Sequence, residues 1–195
     1  MKEYIIDSYD DIFPKEVWVN LWEYFNNRAS FRYGWPSDKR VSEFTHWHID
    51  FLNTANSNQE NAEIELFKKQ EFGVVAAAWS HLKATHLKGH KLVRCYANAH
   101  TYGVEGYVHS DTLIEGNYTT LIYLVPEWRS EWAGETVFMN DEGELVKSVL
   151  PKANRGVIFD GQQLHAARAV SRICPGLRIT LMFKTKAPDS IAFEG

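Results

Sequence analysis

The sequence has few cysteines, no long apolar run and no basic excess, and each shortage excludes a class of protein. Two cysteines, Cys95 and Cys174, lie inside apolar segments of the 195-residue chain, which predicts reduced thiols and a cytoplasmic location. The first residues carry no apolar signal region, which agrees with that location. No stretch approaches the roughly 20 apolar residues that span a bilayer, so no membrane partner is expected. A net charge of −4 does not favour nucleic-acid binding.

What the sequence does contain is a helical pattern followed by a strand pattern. Residues 1–90 read as mainly helical support. They hold a strand at Tyr4–Ile6, a helix opening near Pro14, a loop over Arg28–Arg40, and a long helix from about Asn58 to Lys88 that Gly73 interrupts. After Lys88-Gly89, a good helix stop, the hydrophobic period changes from 3.6 to 2.

Eight strands separated by turn residues are predicted in the second half, near 91–98, 106–111, 118–125, 134–139, 144–149, 156–160, 165–171 and 177–185. This pattern predicts an α+β fold: a double-stranded β-helix (jelly roll, cupin-like) with the N-terminal helices packed on one face. The length fits one domain, with residues 1–90 as support, 91–185 as the jelly-roll core and 186–195 as a tail.

The prediction of function starts from one short motif, Gly106-Tyr107-Val108-His109-Ser110-Asp111. On a strand, His109 and Asp111 would project from the same face. An imidazole and a carboxylate there form two-thirds of the facial triad that holds Fe(II). The spacing alone is weak, because random placement of 8 His and 25 Asp+Glu gives about one such pair and two occur. The context has to decide between them.

Two further residues supply that context. His165 is the candidate third ligand, and its distance along the chain from His109 leaves room for about five intervening strands. Arg178 and Thr180 share one face of the last predicted strand, where a guanidinium beside a hydroxyl can clamp a carboxylate. A metal triad with one carboxylate clamp suits a keto-acid co-substrate.

The C-terminal half, roughly residues 91–185, resembles the Fe(II)/2-oxoglutarate-dependent dioxygenases, in particular the prolyl-4-hydroxylase-like branch. Gly134-Glu135-Thr136-Val137-Phe138 is similar to a family hairpin, with Ala133 in place of its first glycine. The other similar segments are Cys95-Tyr96, Gly106–Asp111, Tyr118–Leu124 with Trp128, Pro151 to Phe159, and His165 to Arg178. The arginine clamp, where collagen-modifying members carry lysine, is similar to that of the peptidyl-prolyl oxygen sensors.

The resemblance implies site residues, cofactors and a reaction. His109, Asp111 and His165 would be the catalytic metal ligands, and Arg178 would pair with the 5-carboxylate of 2-oxoglutarate, with Tyr96 and Tyr123 as hydrogen-bond partners. Fe(2+), 2-oxoglutarate and O2 would be required, with ascorbate as a candidate reductant. The reaction would hydroxylate a C–H bond at prolyl residues of a peptide or protein and release succinate and CO2.

Two segments that carry aromatic residues are candidate walls of a substrate groove. Trp35, in the Arg28–Asp38 loop, and Trp47, in the His46–Asp50 segment, suit an extended proline-bearing peptide. The loop Thr112–Asn117 is a third candidate wall of the groove.

Three alternatives remain open at this stage. The second His-x-Asp pair, His48 and Asp50, could bind iron with His100, but no arginine lies between Gly103 and Trp128 to clamp a carboxylate. A 2-oxoglutarate oxygenase acting on nucleic acid or a small molecule is a second: Arg172 and Arg178 have the spacing of a nucleic-acid demethylase but lack its intervening asparagine. A non-catalytic cupin-like binding module is the third.

Overall fold

The computed structural model describes residues 5–37, 45–52 and 62–188. Its α-helices are α1 (Lys15–Asn27), α2 (Ala62–Lys68) and α3 (Gly73–Ala84), with short 3-10 helices at Gln70–Phe72 and Ser130–Trp132. Its strands are β1 (Ile6–Tyr9), β2 (Arg32–Pro36), β3 (Thr45–Leu52), β4 (Lys91–His100), β5 (Asn117–Tyr123), β6 (Thr136–Met139), β7 (Leu145–Val149), β8 (Gly156–Asp160), β9 (Leu164–Ala167) and β10 (Arg178–Lys186). Within these residues no helix is long and apolar enough to cross a membrane.

The strands form two antiparallel sheets. The large sheet has seven strands in the order β1-β8-β5-β10-β4-β3-β2, and the small sheet has three in the order β7-β6-β9. Strands that neighbour in space are mostly distant in sequence, as in a jelly roll. The predicted fold class is confirmed.

The helices cover one face of the large sheet. Pro14 fixes the backbone direction at the start of α1, which buries Leu21 and Phe25. Trp79 of α3 is fully buried and stacks on Phe183 of β10 with ring centroids 5.9 Å apart. A second apolar cluster, on the other face, includes Phe138 and Phe159 of the two sheets. The large sheet therefore lies between the helical layer and the small sheet.

Strand β10 connects the two layers because its side chains alternate between them. Ile179, Leu181 and Phe183 belong to the helix-side core. Arg178, Thr180, Met182 and Lys184 face the opposite side, where they line a cavity. This alternation is as predicted for residues 178–183, and the pairing of β10 with both β4 and β5 fixes its register.

Several predicted elements differ from those observed. The loop predicted over Arg28–Arg40 contains strand β2, paired with β3, so that prediction was wrong. The long helix is divided into α2 and α3, with a 3-10 turn ending at Phe72 beside the glycine where a break was expected. The first strand begins at Ile6; Tyr4 lies outside the described residues.

The strand predicted over 106–111 is replaced by an irregular segment with an isolated bridge at His109. The other seven predicted strands of the second half are present as β4 to β10. Three strands of the large sheet come from the first 52 residues, so the N-terminal part builds the sheet as well as supporting it.

Candidate active site

His109, Asp111 and His165 lie together with their ligand atoms within 4.8 Å of one another. His109 Nε2 is 3.5 Å from Asp111 Oδ1, and His165 Nε2 is 3.6 Å from Asp111 Oδ2. It is the one metal-type group found among the residues that the structure describes. Two imidazole nitrogens and a carboxylate on one side form the donor set of a non-haem Fe(II) site.

Main-chain hydrogen bonds position all three side chains. His109 N–H donates to His165 O at 3.1 Å, and His165 N–H donates to His109 O at 3.0 Å. Asp111 N–H donates to Gly161 O at 2.8 Å. His109 and Asp111 are therefore aligned by bonds to the turn before β9 and to β9 itself, not by a strand of their own as predicted.

The other ring nitrogen of each histidine fixes its tautomer. His109 Nδ1 is 2.7 Å from Tyr107 O, and His165 Nδ1 is 2.9 Å from Gln163 O. A carbonyl oxygen can only accept, so each Nδ1 carries the hydrogen and each Nε2 keeps its lone pair. Both lone pairs are at the nitrogens nearest Asp111, as metal ligation requires.

The charges around the triad favour its ligating protonation states. Burial would raise the pKa of Asp111, but the ammonium of Lys184, which contacts Oδ2, holds it well below its usual range. Thr119 Oγ1 donates to the same oxygen at 2.5 Å. Burial lowers the pKa of His165 to about 4. Near neutral pH the pair is a carboxylate and a neutral imidazole.

A cavity of about 540 Å³ contains the triad and continues along the inner face of the large sheet. Successive rows of that face come from directly paired residues of β10 and β4: Lys184 with Arg94, Met182 with Tyr96, Thr180 with Asn98, and Arg178 with His100. The Lys184 row contacts Asp111, so it marks the triad end. The Arg178 row is six residues away along β10, and its guanidinium donates to Thr136 of β6, two residues from Phe138, the strand partner of His165.

Arg178 is a buried cation without a carboxylate partner. Its side chain is 1% exposed, and no salt bridge to it is found in the part of the chain described. Nε donates to Gly134 O at 2.5 Å and Nη2 donates to Thr136 Oγ1 at 2.8 Å, which orients the guanidinium. Burial lowers the pKa of Arg178, but an arginine stays charged. A buried, unpaired charge is costly, which favours an anionic ligand here.

The structure separates the three residues expected around that arginine. Thr180 lines the cavity one row away. The Tyr123 hydroxyl shares a 2.7 Å hydrogen bond with Thr136 and donates to Val149 O at 2.9 Å, and the tyrosine ring lies 5.3 Å from the guanidinium. Tyr123 therefore packs against the guanidinium without lining the cavity. Tyr96 lines the cavity but lies opposite Met182, four residues from the Arg178 row.

The two candidate substrate tryptophans are also separated. Trp35 lines the cavity and stacks on His48 with ring centroids 4.2 Å apart. Trp47 alternates with His46 and His48 along β3, does not line the cavity, and packs edge-on against Tyr33. Of the expected loop, Thr112, Ile114 and Asn117 line the cavity.

The second His-x-Asp pair forms a polar network instead of a ligand set. His48 Nδ1 is 2.7 Å from Asn98 Oδ1, and its Nε2 is 3.1 Å from Asp50 Oδ1. Arg94 Nη2 donates to the same Asp50 oxygen at 2.9 Å. Within the described residues no third histidine, cysteine or carboxylate joins His48 and Asp50 in a metal-type group, which rejects the rival site.

Comparison with known proteins then identifies the chain. Residues 94–183 match the sequence model described as the 2OG-Fe(II) oxygenase superfamily. This match covers 90 of the 195 residues and identifies a 2OG-Fe(II) oxygenase domain in the chain. None of the curated protein sequences matches the oxygenase significantly.

Solved structures show the same fold at low sequence identity. A prolyl-4-hydroxylase from Pseudomonas putida is 13% identical with a TM-score of 0.61, over 95% of this chain and 94% of that one. A Trichoplax adhaerens prolyl hydroxylase in complex with a hypoxia inducible factor peptide is 14% identical, TM-score 0.59, over 93% and 83%. The epimerase SnoN of nogalamycin biosynthesis is 12% identical, TM-score 0.57, over 96% and 82%. These similarities extend to the fold alone.

The oxygenase superfamily uses Fe(2+), 2-oxoglutarate and O2, and the residues present fit that set. The triad offers two neutral imidazoles and one carboxylate, a donor set suited to Fe(II). The unpaired Arg178 in the same cavity offers a buried positive charge of the kind a dicarboxylate needs.

Sequence reasoning missed three polar residues of this oxygenase cavity: Arg94, Lys184 and His100. Lys184 continues the alternation Arg178, Thr180, Met182, so extending that pattern by two residues would have found it. His100 was weighed only as a ligand of the rival site. Its position opposite Arg178 depends on the β4–β10 register, which no local pattern in the sequence reveals.

Proposed function

We propose that the chain is a prolyl-4-hydroxylase-like Fe(II)- and 2-oxoglutarate-dependent dioxygenase, with residues 1–195 as a single dioxygenase domain. It hydroxylates a prolyl residue of a peptide or protein and releases succinate and CO2. The observation that carries the proposal is one cavity containing both the His109–Asp111–His165 cluster and the unpaired, buried Arg178.

Each residue has a role in that proposal. Nε2 of His109, Nε2 of His165 and the Asp111 carboxylate hold the iron, which when bound supplies the oxygen chemistry that the protein side chains cannot. Lys184 and Thr119 donate to Asp111 Oδ2 and restrain the carboxylate. Arg178 binds the distal carboxylate of 2-oxoglutarate, and Gly134 and Thr136 hold its guanidinium in place. Tyr123 packs behind it.

One wall of the cavity beside the triad is aromatic and apolar. His165 is 5% exposed and packs against Phe159 and Phe138, with ring centroids 4.8 and 6.2 Å away. In such an apolar setting the charge-assisted contacts of Arg178 and Asp111 are stronger than in water. The arrangement orients the co-substrate between two fixed ends of the cavity.

The prolyl substrate is the finer part of the proposal. Trp35 offers an aromatic face at the cavity, and aromatic grooves suit proline-bearing peptides. The names of two structural neighbours point the same way, since both are prolyl hydroxylases and one was solved with a peptide. The third neighbour, an epimerase, shows that the fold also serves other reactions, so a small-molecule substrate is the alternative to test.

The experiment is 2-oxoglutarate turnover by the iron-loaded protein with a library of prolyl and matched alanyl peptides. We expect a prolyl peptide to stimulate succinate formation and to gain one oxygen atom by mass spectrometry, while its alanyl counterpart does neither. If only a free amino acid or a methylated nucleotide stimulates turnover, the prolyl substrate is rejected and the oxygenase activity is retained. Absence of any iron-dependent succinate would favour the binding module.

A further inference from the structure

His100 lies directly opposite Arg178 in the β4–β10 pairing, is 2% exposed, and lines the same cavity. Arg178 Nη1 is 3.5 Å from His100 Nδ1. A guanidinium can only donate, so Nδ1 is the acceptor and a neutral His100 carries its hydrogen on Nε2. Burial and the charge of Arg178 lower the pKa of His100 well below its ordinary value, which agrees with a neutral ring.

The Nε2–H of His100 is a buried donor without a partner in the described residues. Buried donors are nearly always satisfied, so an orphan at a cavity wall calls for a ligand acceptor. The ring cannot easily turn away, because His46 stacks on it with centroids 4.9 Å apart and planes 23° apart. The His100 ring is therefore held between His46 and the guanidinium of Arg178.

All three guanidinium nitrogens of Arg178 already face protein acceptors, so few N–H groups remain for a ligand. Its Nε and Nη2 already donate to Gly134 O and Thr136 Oγ1, and Nη1 faces His100. A carboxylate reaching this end of the cavity can use the remaining N–H groups but has two oxygens to satisfy. His100 lies in the same row of the sheet, directly opposite Arg178, so its Nε2–H is an unused donor beside the guanidinium.

We propose that His100 is a binding and specificity-determining residue: its Nε2–H donates to the distal carboxylate of 2-oxoglutarate while Arg178 supplies the charge. His46 acts as a positioning residue through its stack. The inference rests on the proposed function. It makes a neutral imidazole of β4 the second donor to the distal carboxylate, beside Arg178. Tyr96, expected there from the sequence, lies two rows away, opposite Met182.

The test uses variants that separate the two ring nitrogens. His100→Asn places an oxygen near the Nδ1 position and removes the Nε2–H, and His100→Phe keeps the ring shape without either nitrogen. His100→Gln restores an N–H close to the Nε2 position. Binding of 2-oxoglutarate and of 2-oxobutyrate, which lacks the distal carboxylate, is measured by calorimetry on the Fe(II)-loaded protein without oxygen.

We expect His100→Asn and His100→Phe to weaken 2-oxoglutarate binding by about tenfold, as for loss of one hydrogen bond to a charged group. Binding of 2-oxobutyrate should be unchanged, and His100→Gln should recover most of the loss. His81→Asn, the same substitution in α3 outside the cavity, is the matched control. Equal losses for both ligands, or no loss in whichever removal variant folds, would overturn the role of His100.

Arg178→Ala separates this inference from the proposed function. If Arg178→Ala loses 2-oxoglutarate and the His100 variants do not, the clamp is right and only the second arm is wrong. If Arg178→Ala binds 2-oxoglutarate like the unmodified chain, the clamp itself is wrong. In the turnover assay, His100→Asn should raise KM for 2-oxoglutarate while leaving KM for the peptide unchanged.

Discussion

His109 and His165 are joined by two reciprocal main-chain hydrogen bonds, of 3.1 and 3.0 Å, although neither bond belongs to a continuous strand pair. The two imidazoles thereby lie side by side, with ring centroids 4.5 Å apart. Since these bonds join main-chain atoms, removing the partly exposed side chain of His109 leaves them in place. That side chain can therefore be removed to test function without removing the framework.

The first prediction concerns the metal. His109→Ala or Asp111→Ala should abolish Fe(II)-dependent 2-oxoglutarate turnover, because each removes one of three ligands. Iron content after loading and desalting should fall, while the far-ultraviolet circular dichroism spectrum stays close to that of the unmodified chain.

His48→Ala is the matched control, since His48 belongs to the rejected rival pair and does not line the cavity. It should retain iron. Loss of iron in His48→Ala together with retention in His109→Ala would show that the wrong histidine pair was chosen.

The second prediction concerns the carboxylate clamp. Arg178→Ala should raise KM for 2-oxoglutarate sharply, because the loss of a buried charge pair costs about 2–5 kcal/mol. Arg178→Lys should recover part of that loss, since an ammonium keeps the charge but not the planar fork. Steady-state kinetics with fixed peptide and varied 2-oxoglutarate measures both. An unchanged KM in Arg178→Ala would point to another cation.

The third prediction separates the two tryptophans. Trp35→Ala should weaken stimulation of turnover by a prolyl peptide without changing iron content, because Trp35 lines the cavity. Trp47→Ala is the control, since its ring packs against Tyr33 outside the cavity. The peptide concentration for half-maximal stimulation is the readout. Equal effects of the two substitutions would mean that the substrate does not enter along Trp35.

The fourth prediction concerns pH. Burial lowers the pKa of His46 to about 4, so between pH 6.5 and 4 the unfolded chain binds a proton that the folded chain does not. Stability is therefore full above pH 6.5 and falls on acidification, by at most about 1.4 kcal/mol per pH unit from this group. His46→Phe cannot take up that proton. Its free energy of unfolding should drop less between pH 7 and pH 5 in urea titrations of the metal-free protein.

Other buried histidines, His100 and His165, have lowered pKa values too, so His46→Phe should reduce the pH dependence without removing it. A drop as large as in the unmodified chain would show that His46 is not buried as a neutral ring.

The fifth prediction concerns Gly161, whose carbonyl accepts the N–H groups of Asp111 and Thr112. A Cβ added at Gly161 would be 2.6 Å from Thr112 Cγ2 and 3.0 Å from the Asn117 carbonyl oxygen. Gly161→Ala should therefore destabilise the protein by about 1–3 kcal/mol, as overpacking does, and weaken iron binding by displacing Asp111. Gly176→Ala, with nothing within 4 Å, is the control. Thermal unfolding and iron titration of both variants provide the comparison.

The sequence predicted the neighbouring candidate ligands His109 and Asp111 through local spacing and the β10 face through alternation, because both depend on neighbours along the chain. It did not predict that 106–111 would be irregular, since isolated residues in this segment are held by contacts with 161–167. It placed Tyr96, not His100, near Arg178, because the register of β4 against β10 arises from pairing across 78 residues. Strand β2 was missed because Gly34 and Pro36 are residues typical of loops. An edge strand tolerates both, and β2 lies at the edge of the large sheet.

The segment around His109 is attached to β9 and to the turn before it, so the metal site can open locally at this attachment. Gly106, His109, Asp111 and Thr112 are bound to 161–167 mainly by backbone bonds, whereas Arg178 belongs to a strand paired on both sides. Local opening of this segment would release two of the three ligands in one event and leave the arginine where it is. The protein would then lose its metal reversibly while remaining folded, with the co-substrate end of the cavity preserved for reloading.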